Sequence, residues 1–243
     1  MNLISIPRRI FSNIKKKNQF FKDFRQFKEN SDNRFRLEWS DRYPCLDDKT
    51  SITGFDKHYT YHTAWAARKL KSINPNEHID ISSMIYFSTL VSAFIPIKFY
   101  DYRPAQIDLQ NLECKNADLL KLPFETNSVE SISCMHVVEH VGLGRYGDPI
   151  DIKGDLKAIE EIKRVTKVNG HVLFVVPLGK AKIMFNAHRI YSFSQITSYF
   201  KGFELKEFAL IPDQSNEGII FQASEEQTDM QEYGCGCFWF VKK

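Results

Sequence analysis

The sequence predicts an α/β fold, in which one mostly parallel sheet has helices on both faces and an antiparallel final strand. From residue 76 onward, short apolar runs typical of strands alternate with segments of helical periodicity. This alternation requires crossover connections, which place strands parallel in one sheet. The run HVLFVVP at residues 171–177 is typical of a strand buried on both faces. A chain of 243 residues with 43% hydrophobic content can bury one such core.

The first 28 residues form a basic amphipathic arm. They hold eight Lys or Arg against one Asp, a net +7, so the rest of the chain carries −4 of the total +3. Apolar residues recur between these cations at nearly helical spacing. The arm is either an interfacial helix that contacts an anionic membrane or a partner protein, or a helix packed on the domain with its cations in water. This asymmetry does not indicate a nucleic-acid-binding protein.

Residues 29–75 form an N-terminal cap segment, which precedes an α/β domain at 76–243. Within the cap, HYTYHTAWAARKL at 58–70 predicts a helix whose polar aromatic residues lie near its start. His58 and His62 stand one turn apart and share a face. They are either a metal-binding pair or hydrogen-bonded residues at a surface or lid, and the absence of a carboxylate or Cys at fixed spacing favours the second interpretation.

The α/β domain begins with four predicted strands. The second ends at Asp101 and the third at Asp118, while Ser82 and Ser83 cap the helix that follows the first. A later helix at 156–165 is stopped by Asn169-Gly170, and a short helix covers 192–200. The strands are predicted at 78–81, 97–101, 129–135, 171–177, 203–211 and 237–241, with a further strand that ends at 118. Residues 218–222 are ambiguous between strand and loop.

Targeting signals and cysteine spacing indicate the compartment expected for this protein and the redox state of its thiols. No apolar run reaches the length of a membrane span, and charges occupy the N-terminal stretch where a signal peptide needs its apolar centre, so a cytoplasmic protein is expected. Five cysteines at irregular spacing indicate reduced thiols. Cys235-Gly236-Cys237 offers two soft ligands, but no second pair completes a zinc site, and no metal is predicted.

A glycine-containing loop follows the fourth strand, in the segment EHVGLGRYGDPID at residues 139–151. Gly142, Gly144 and Gly147 allow sharp backbone bends among side chains able to do chemistry. In open α/β sheets, ligands bind at the carboxyl ends of the strands, and this loop leaves such an end. A functional site is therefore expected here.

The order of these segments resembles the class I S-adenosylmethionine-dependent methyltransferases, which have a Rossmann-like fold. The resemblance spans roughly residues 76–178. It rests on five features in chain order: an acid at the end of the first strand, an acid at the end of the second, Asn-Ala-Asp ending at Asp118, SISCMHVVEHV, and EIKRVTKVNGHVLFVVP. The chain is most similar to an uncharacterised methyltransferase-like family known only as a domain of unknown function. The segments EHVGLGRYGDPID and FNAHRIYS resemble that family's hallmark.

The resemblance implies S-adenosylmethionine as cofactor and assigns its contacts. Asp101 corresponds to the acid that binds the ribose hydroxyls, and Asp118 to the acid that binds the adenine amino group, with Leu119 presenting its backbone. The remaining cofactor-binding residues lie near the methionine end or under the adenosine, and they are Asp80, Ser82, Cys134 and His136.

The acceptor side is expected in the two hallmark segments. For a hydroxyl acceptor a general base is required, and histidine suits this role near neutral pH. The catalytic candidates are His140, His188 and Tyr146, with His136 as a further candidate base; the substrate-binding candidates are Arg145, Asp148, Asn186 and Arg189. Since two segments bring His and Arg to one crevice, the expected substrate is a small polar molecule or a glycan precursor.

The sequence departs from the family at the first turn, where Asp-x-Gly-x-Gly-x-Gly is replaced. Ser82, Met84 and Tyr86 occupy the three glycine positions. Their side chains must either point away from the ligand or narrow the site. Three hypotheses therefore remain: a methyltransferase, a methyltransferase-like binding or scaffold protein without turnover, and a different enzyme acting on a nucleotide-sugar with His140 and His188 as acid and base.

Overall fold

The structure, a computed structural model, describes residues 8–32, 34–213 and 217–243, with side chains from residue 12 onward. The chain divides into two compact units, Met1–Phe55 and Asp56–Lys243. The predicted division into an arm, a cap segment and an α/β domain stays a prediction.

The first unit is built around helix α1 (Arg8–Glu29) and Trp39. The ring of Trp39 stacks on Phe21 at 4.8 Å between centroids and meets Phe24 edge-on at 4.8 Å. Lys16 forms an ion pair of 2.6 Å with Asp47. Residues 1–7 of the predicted arm lie outside the described residues, and its contact with a membrane or a partner protein stays a prediction.

The second unit contains a large mixed sheet. Its helices are α2 (Lys57–Ile73), α3 (Ile85–Val91), α4 (Gly154–Val165), α5 (Phe193–Tyr199) and α6 (Glu225–Asp229). Its strands are β1 (His78–Ile81), β2 (Ile97–Asp101), β3 (Leu112–Asn116), β4 (Val129–Met135), β5 (Thr166–Leu178), β6 (Lys182–Met184), β7 (His188–Ile190), β8 (Phe203–Ile211), β9 (Ile220–Phe221) and β10 (Gly234–Lys242).

The described residues form a sheet with the strand order β3-β2-β1-β4-β5-β10-β8-β9. The strands from β3 to β5 are parallel, whereas β10 is antiparallel to both β5 and β8. Strands β6 and β7 form a separate antiparallel hairpin. The sequence-based prediction of a mostly parallel sheet with an antiparallel final strand is thereby confirmed.

Each face of the sheet buries its own apolar core. On one face, Ile159 and Ile162 of α4 pack with Ile196 of α5 and with phenylalanines of β5 and β10. On the other face, Trp65 of α2 and Phe87 of α3 pack on the opposite side chains of the same strands. Each fully buried side chain of this size stabilises the fold by about 1.5–3 kcal/mol. Helices therefore cover both faces, as predicted.

Three predicted boundaries were wrong. Strand β3 ends at Asn116, so Asp118 lies in the turn beyond it. Asn169-Gly170 does not stop α4, which ends at Val165; the pair lies inside β5, where Asn169 adopts φ +62 beside a register shift in the β4–β5 pairing. The third wrong boundary is the start of α3. This helix begins at Ile85, and no side chain caps it. Ser83, which was predicted to cap the helix, instead accepts a hydrogen bond from the backbone N–H of Met135.

Among the described helices, none combines the length and the apolar character that crossing a bilayer requires. The compartment expected from the sequence stays a prediction.

Candidate functional site

A cavity of about 550 Å³ opens at the carboxyl ends of β1, β2, β3 and β4. This volume is in the range of small-molecule sites. Its lining combines the turns after these strands with the loop that follows β4. The predicted site residues among the lining are Ser82, Asp101, Asp118, Leu119, His136, His140, Tyr146 and Asp148.

The first turn reaches the cavity through its backbone and Ser82. Ser82 adopts φ +52, and both its N–H and its hydroxyl donate to the carbonyl of Tyr100, at 2.8 and 3.2 Å. A left-handed residue at this position is what a glycine would supply without strain. Met84 and Tyr86 are 36% and 67% exposed, and neither lines the cavity. The side chains at the two later glycine positions therefore point away from the site.

Two carboxylates line the cavity beside each other along the sheet edge. Asp101 ends β2, and its Oδ1 accepts the N–H of Arg103 at 2.7 Å. Asp118 follows β3, and its Oδ1 accepts the N–H of Leu120 at 2.8 Å. These backbone bonds fix each carboxyl group and leave a second oxygen on each for a ligand. This arrangement can bind two separated hydroxyl or amino groups of one elongated molecule.

Asp80, predicted at the methionine end of the cofactor, is fully buried and does not line the cavity. Its oxygens accept hydrogen bonds from Ser133 at 2.5 Å and Ser88 at 2.6 Å. His78, also fully buried, contacts Ser131 and Ser133 through its two ring nitrogens, both at 2.8 Å. Burial raises the pKa of Asp80 to about 6, against the lowering effect of the serine hydrogen bonds. Asp80 thus belongs to a polar network that joins β1, β4 and α3.

We expect Asp80→Asn to change how stability depends on pH. The pKa of Asp80 rises from 3.8 in the unfolded chain to about 6 in the folded one. The folded state therefore binds the extra proton between these values, and stability falls as the pH rises through this window. The Asn variant lacks this titration, so the free energy of unfolding of the wild type, relative to the variant, should fall by about 2 kcal/mol from pH 4 to pH 7. Urea unfolding measures this difference, and parallel pH curves would contradict it.

The loop at residues 141–153 is shaped by its glycines and by Asp148. Gly142, Gly144 and Gly147 have φ of +81, +71 and +87, as their sequence positions predicted. A Cβ on Gly142 would lie 2.1 Å from the carbonyl oxygen of Asp151. Partial burial alone raises the pKa of Asp148, but hydrogen bonds from the N–H groups of Tyr146, Gly142 and Gly144 lower it overall. Asp148 therefore carries a charge that organises the loop.

His140 lines the cavity with a defined tautomer. Its Nδ1 lies 2.6 Å from the carbonyl oxygen of Ala187. Because a carbonyl only accepts, and because this contact is shorter than the 3.3 Å between Nδ1 and Arg145 Nη1, Nδ1 carries the proton, and a neutral ring keeps a lone pair on Nε2. The same carbonyl accepts from Arg145 at 3.0 Å. Nε2 lies 3.8 Å from Glu139 Oε1, which stabilises positive charge on the ring. The geometry suits His140 for proton removal.

Tyr146 lies between two arginines at the mouth of the cavity. The guanidinium groups of Arg103 and Arg145 stand 5.3 and 5.1 Å from its ring centroid. Such contacts hold aromatic and cationic groups together and place two positive charges near the entrance. This side of the cavity is therefore positively charged.

Several predicted site residues lie outside the cavity lining. Cys134 is buried within β4, Asn186 is exposed on the turn between β6 and β7, and Arg145 also lies outside the lining. Arg189 is 5% exposed; its guanidinium donates to the carbonyl of Val141 at 2.7 Å and lies 3.6 Å from Asp155. It thereby ties the loop to α4 from below. The ring of His188 lies 6.4 Å from that of His140, and burial lowers its pKa.

A cluster of aromatic and imidazole rings, which we term the histidine cluster, surrounds His136 behind the cavity. It comprises His58, Tyr59, His62, His136 and Tyr233, and the rings of the first three lie 5.7, 5.4 and 5.1 Å from that of His136. Burial, reinforced by the neighbouring His136, lowers the pKa of His58 to about 4. The imidazole of His58 is therefore neutral at physiological pH.

Comparison with solved structures decides the fold. The YcgJ protein of Bacillus subtilis matches with a TM-score of 0.54 at 13% identity, over 76% of this chain and 99% of that one. The N-methyltransferase NodS of Bradyrhizobium japonicum, in complex with S-adenosyl-L-homocysteine, matches with a TM-score of 0.53 at 16% identity, over 76% and 86%. This chain has the class I methyltransferase fold. The resemblance predicted from the sequence is confirmed at the level of fold.

Sequence comparison adds a family match in the second half of the methyltransferase fold. The model of the family described as Caenorhabditis protein of unknown function, DUF268, matches residues 119–233. This segment contains the glycine loop and the β6–β7 hairpin, and it agrees with the predicted similarity to an uncharacterised family. A comparison with curated proteins finds no match.

The sequence did not single out Tyr102 and Arg103, which line the cavity just after Asp101. Asp151, the last residue of the EHVGLGRYGDPID segment, was not assigned to the site, although it also lines the cavity. Tyr102 and Arg103 both follow β2 at the carboxyl edge of the sheet, so position alone was the available signal.

Proposed function

We propose that this protein is an S-adenosylmethionine-dependent methyltransferase acting on a hydroxyl group of a small polar molecule or glycan precursor. The observation that carries this proposal is the cavity itself. Asp101 at the end of β2 and Asp118 in the turn after β3 line it, Ser82 adopts a left-handed conformation, and Met84 and Tyr86 lie outside the lining. The residues that replace the glycines therefore leave the cofactor side open.

The residues present fit the cofactor. Asp101 would accept hydrogen bonds from the two ribose hydroxyls, since a carboxylate offers acceptors to both. Asp118 would accept from the adenine amino group, while Ser82 and His136 border the cavity between β1 and β4. When bound, S-adenosylmethionine supplies an electrophilic methyl group for in-line displacement.

On the acceptor side, His140 would act as general base. Its Nδ1–H is held by the Ala187 carbonyl, so Nε2 is the atom that takes the hydroxyl proton. The Glu139 carboxylate near Nε2 stabilises the imidazolium that results. Arg103, Arg145 and Tyr146 would orient a polar or anionic acceptor at the entrance. Alignment of the two reactants supplies much of the remaining rate enhancement.

The alternative of a scaffold without turnover rested on the missing glycines. Because Met84 and Tyr86 are exposed and lie outside the cavity lining, the basis for that hypothesis is weakened. A nucleotide-sugar enzyme that pairs His140 with His188 is not favoured either, since His188 does not line the cavity.

Isothermal titration calorimetry of the full-length protein with S-adenosylmethionine and S-adenosylhomocysteine tests the proposal. We expect both to bind with a stoichiometry of one per chain. Absence of heat at millimolar ligand, with folding verified by circular dichroism, would refute it. Incubation with isotopically labelled S-adenosylmethionine and a panel of sugars and sugar phosphates then tests the acceptor class. If the cofactor binds but no hydroxylated acceptor becomes labelled, the proposed acceptor class is wrong, while the proposal of cofactor binding stands.

A further inference from the structure

Three potential metal ligands, two from the histidine cluster and one cysteine beside it, converge from distant parts of the second unit. His58 lies in α2, His136 follows β4, and Cys235 lies in β10. One donor atom from each side chain lies within 4.8 Å of the donor atoms of the other two. Cys235 is fully buried, and His136 is 8% exposed. The fold thus assembles two imidazoles and one thiol in a largely buried position.

His136 is oriented as a metal-binding histidine usually is. Its Nδ1 lies 2.9 Å from Glu139 Oε1, and the side chains are 4% and 1% exposed. The shared hydrogen bond places the imidazole proton on Nδ1, with the carboxylate oxygen as acceptor, so a neutral ring has its lone pair on Nε2. That Nε2 is buried and finds no hydrogen-bond partner within the described part of the chain. A carboxylate that fixes the tautomer behind a ligating histidine is the common outer-sphere arrangement of metal sites.

A second imidazole of the cluster repeats this pattern. His62 Nδ1 lies 2.8 Å from the backbone carbonyl of His58, so it is the protonated nitrogen. Its Nε2 is buried and, among residues 8–32, 34–213 and 217–243, also has no hydrogen-bond partner. Its ring meets that of His136 edge-on at 5.1 Å. Two buried lone pairs without a donor thus occur side by side.

His78 shows what a buried histidine does in this protein when its role is structural. It is fully buried, and both of its ring nitrogens are within 2.8 Å of serine hydroxyls. Unsatisfied buried polar atoms destabilise the folded state, and native proteins contain few of them. Within the described residues, by contrast, His136 Nε2 and His62 Nε2 lack such a partner, as does Oε2 of the neighbouring Glu139.

We infer that His58, His136 and Cys235 bind a divalent transition metal of the zinc type, with Glu139 as the carboxylate that orients His136. A thiolate with two imidazoles suits zinc and cobalt, whereas magnesium and calcium select oxygen ligands. On binding, a metal–sulfur bond forms and the Cys235 thiol proton passes to solvent. Three protein ligands leave one tetrahedral position for another ligand. Because His136 also lines the cavity, the metal would stand beside the proposed methyl-transfer site.

Cobalt(II) titration of the full-length, chelator-treated protein tests this site without any cofactor. We expect one Co²⁺ per chain, a thiolate-to-cobalt charge-transfer absorption band, and displacement by Zn²⁺. Glu139→Gln should weaken Co²⁺ binding about 10–100-fold, as loss of an outer-sphere partner does. His58→Gln, at a partly exposed position, should weaken binding at least as much.

Two cysteine variants provide the matched comparison. Cys235→Ser should abolish the charge-transfer band, whereas Cys237→Ser, two residues along the same strand, should retain it. If Cys235→Ser does not fold, loss of Co²⁺ affinity in His58→Gln decides the question. The inference is overturned if the folded wild type shows no charge-transfer band, if the band survives in both Cys235→Ser and His58→Gln, or if it is lost instead with the exposed Cys45→Ser.

Discussion

Replacing Asp101 with alanine is expected to weaken S-adenosylhomocysteine binding by about 10²–10⁴-fold. Hydrogen bonds to a charged group contribute about 1.5–3 kcal/mol each, and Asp101 is proposed to accept two from the ribose. Its position supports this role, since it ends β2 at the cavity and is oriented by the N–H of Arg103. Calorimetric titration of the variant gives the change in Kd.

Two further variants make this experiment specific. Asp101→Asn can still accept the Arg103 N–H but lacks the charge, so it should show an intermediate loss of affinity. Asp108→Ala alters an exposed acid in the same β2–β3 connection, outside the cavity lining, and should bind like the wild type. An Asp101→Ala variant with unchanged Kd would show that the ribose is bound elsewhere.

His140→Ala is expected to reduce the rate of methyl transfer by about 10²–10⁴-fold, the usual contribution of a general base. The variant removes Nε2, the proposed proton acceptor, but leaves Asp101 and Asp118 in place. Affinity for S-adenosylhomocysteine should therefore change little. Single-turnover transfer of a labelled methyl group to the hydroxylated acceptor identified in the panel measures the effect.

His171→Ala serves as the control for His140, because His171 lies in β5 outside the cavity lining, where it accepts a hydrogen bond from Trp239. Its transfer rate should match that of the wild type. If His140→Ala retains full activity with normal cofactor affinity, proton removal must be assigned to another residue or to solvent.

Much of the fold followed from local sequence patterns. Buried parallel strands leave continuous apolar runs, and HVLFVVP was therefore visible as a strand within β5. Asp101 and Asp118 could be placed in one crevice because the carboxyl ends of neighbouring parallel strands share an edge. Glycines at 142, 144 and 147 predicted the bends that the loop makes.

Other features depend on tertiary geometry that local patterns do not encode. The direction of Met84 and Tyr86 follows from how α3 sits on the sheet, which the sequence pattern left open. Arg189 was expected at the substrate, but its guanidinium instead lies under the loop against the Val141 carbonyl.

The histidine cluster also could not be predicted from the spacing of residues along the sequence. Its proposed ligands come from positions 58, 136 and 235, so the motif Cys235-Gly236-Cys237 appeared to lack partners. His58 and His62 do share a face of α2, as expected, but their neighbour His136 comes from a distant turn. Only the pairing of β10 with β5 and the packing of α2 bring these residues together.

A crystal structure of the full-length protein with S-adenosylhomocysteine tests the central proposal most directly. The account predicts electron density for the ligand in the cavity after β1, β2 and β4, with the ribose hydroxyls at hydrogen-bond distance from Asp101 and the adenine beside Asp118. Ligand density at another place, or an orientation with the ribose remote from Asp101, would contradict it.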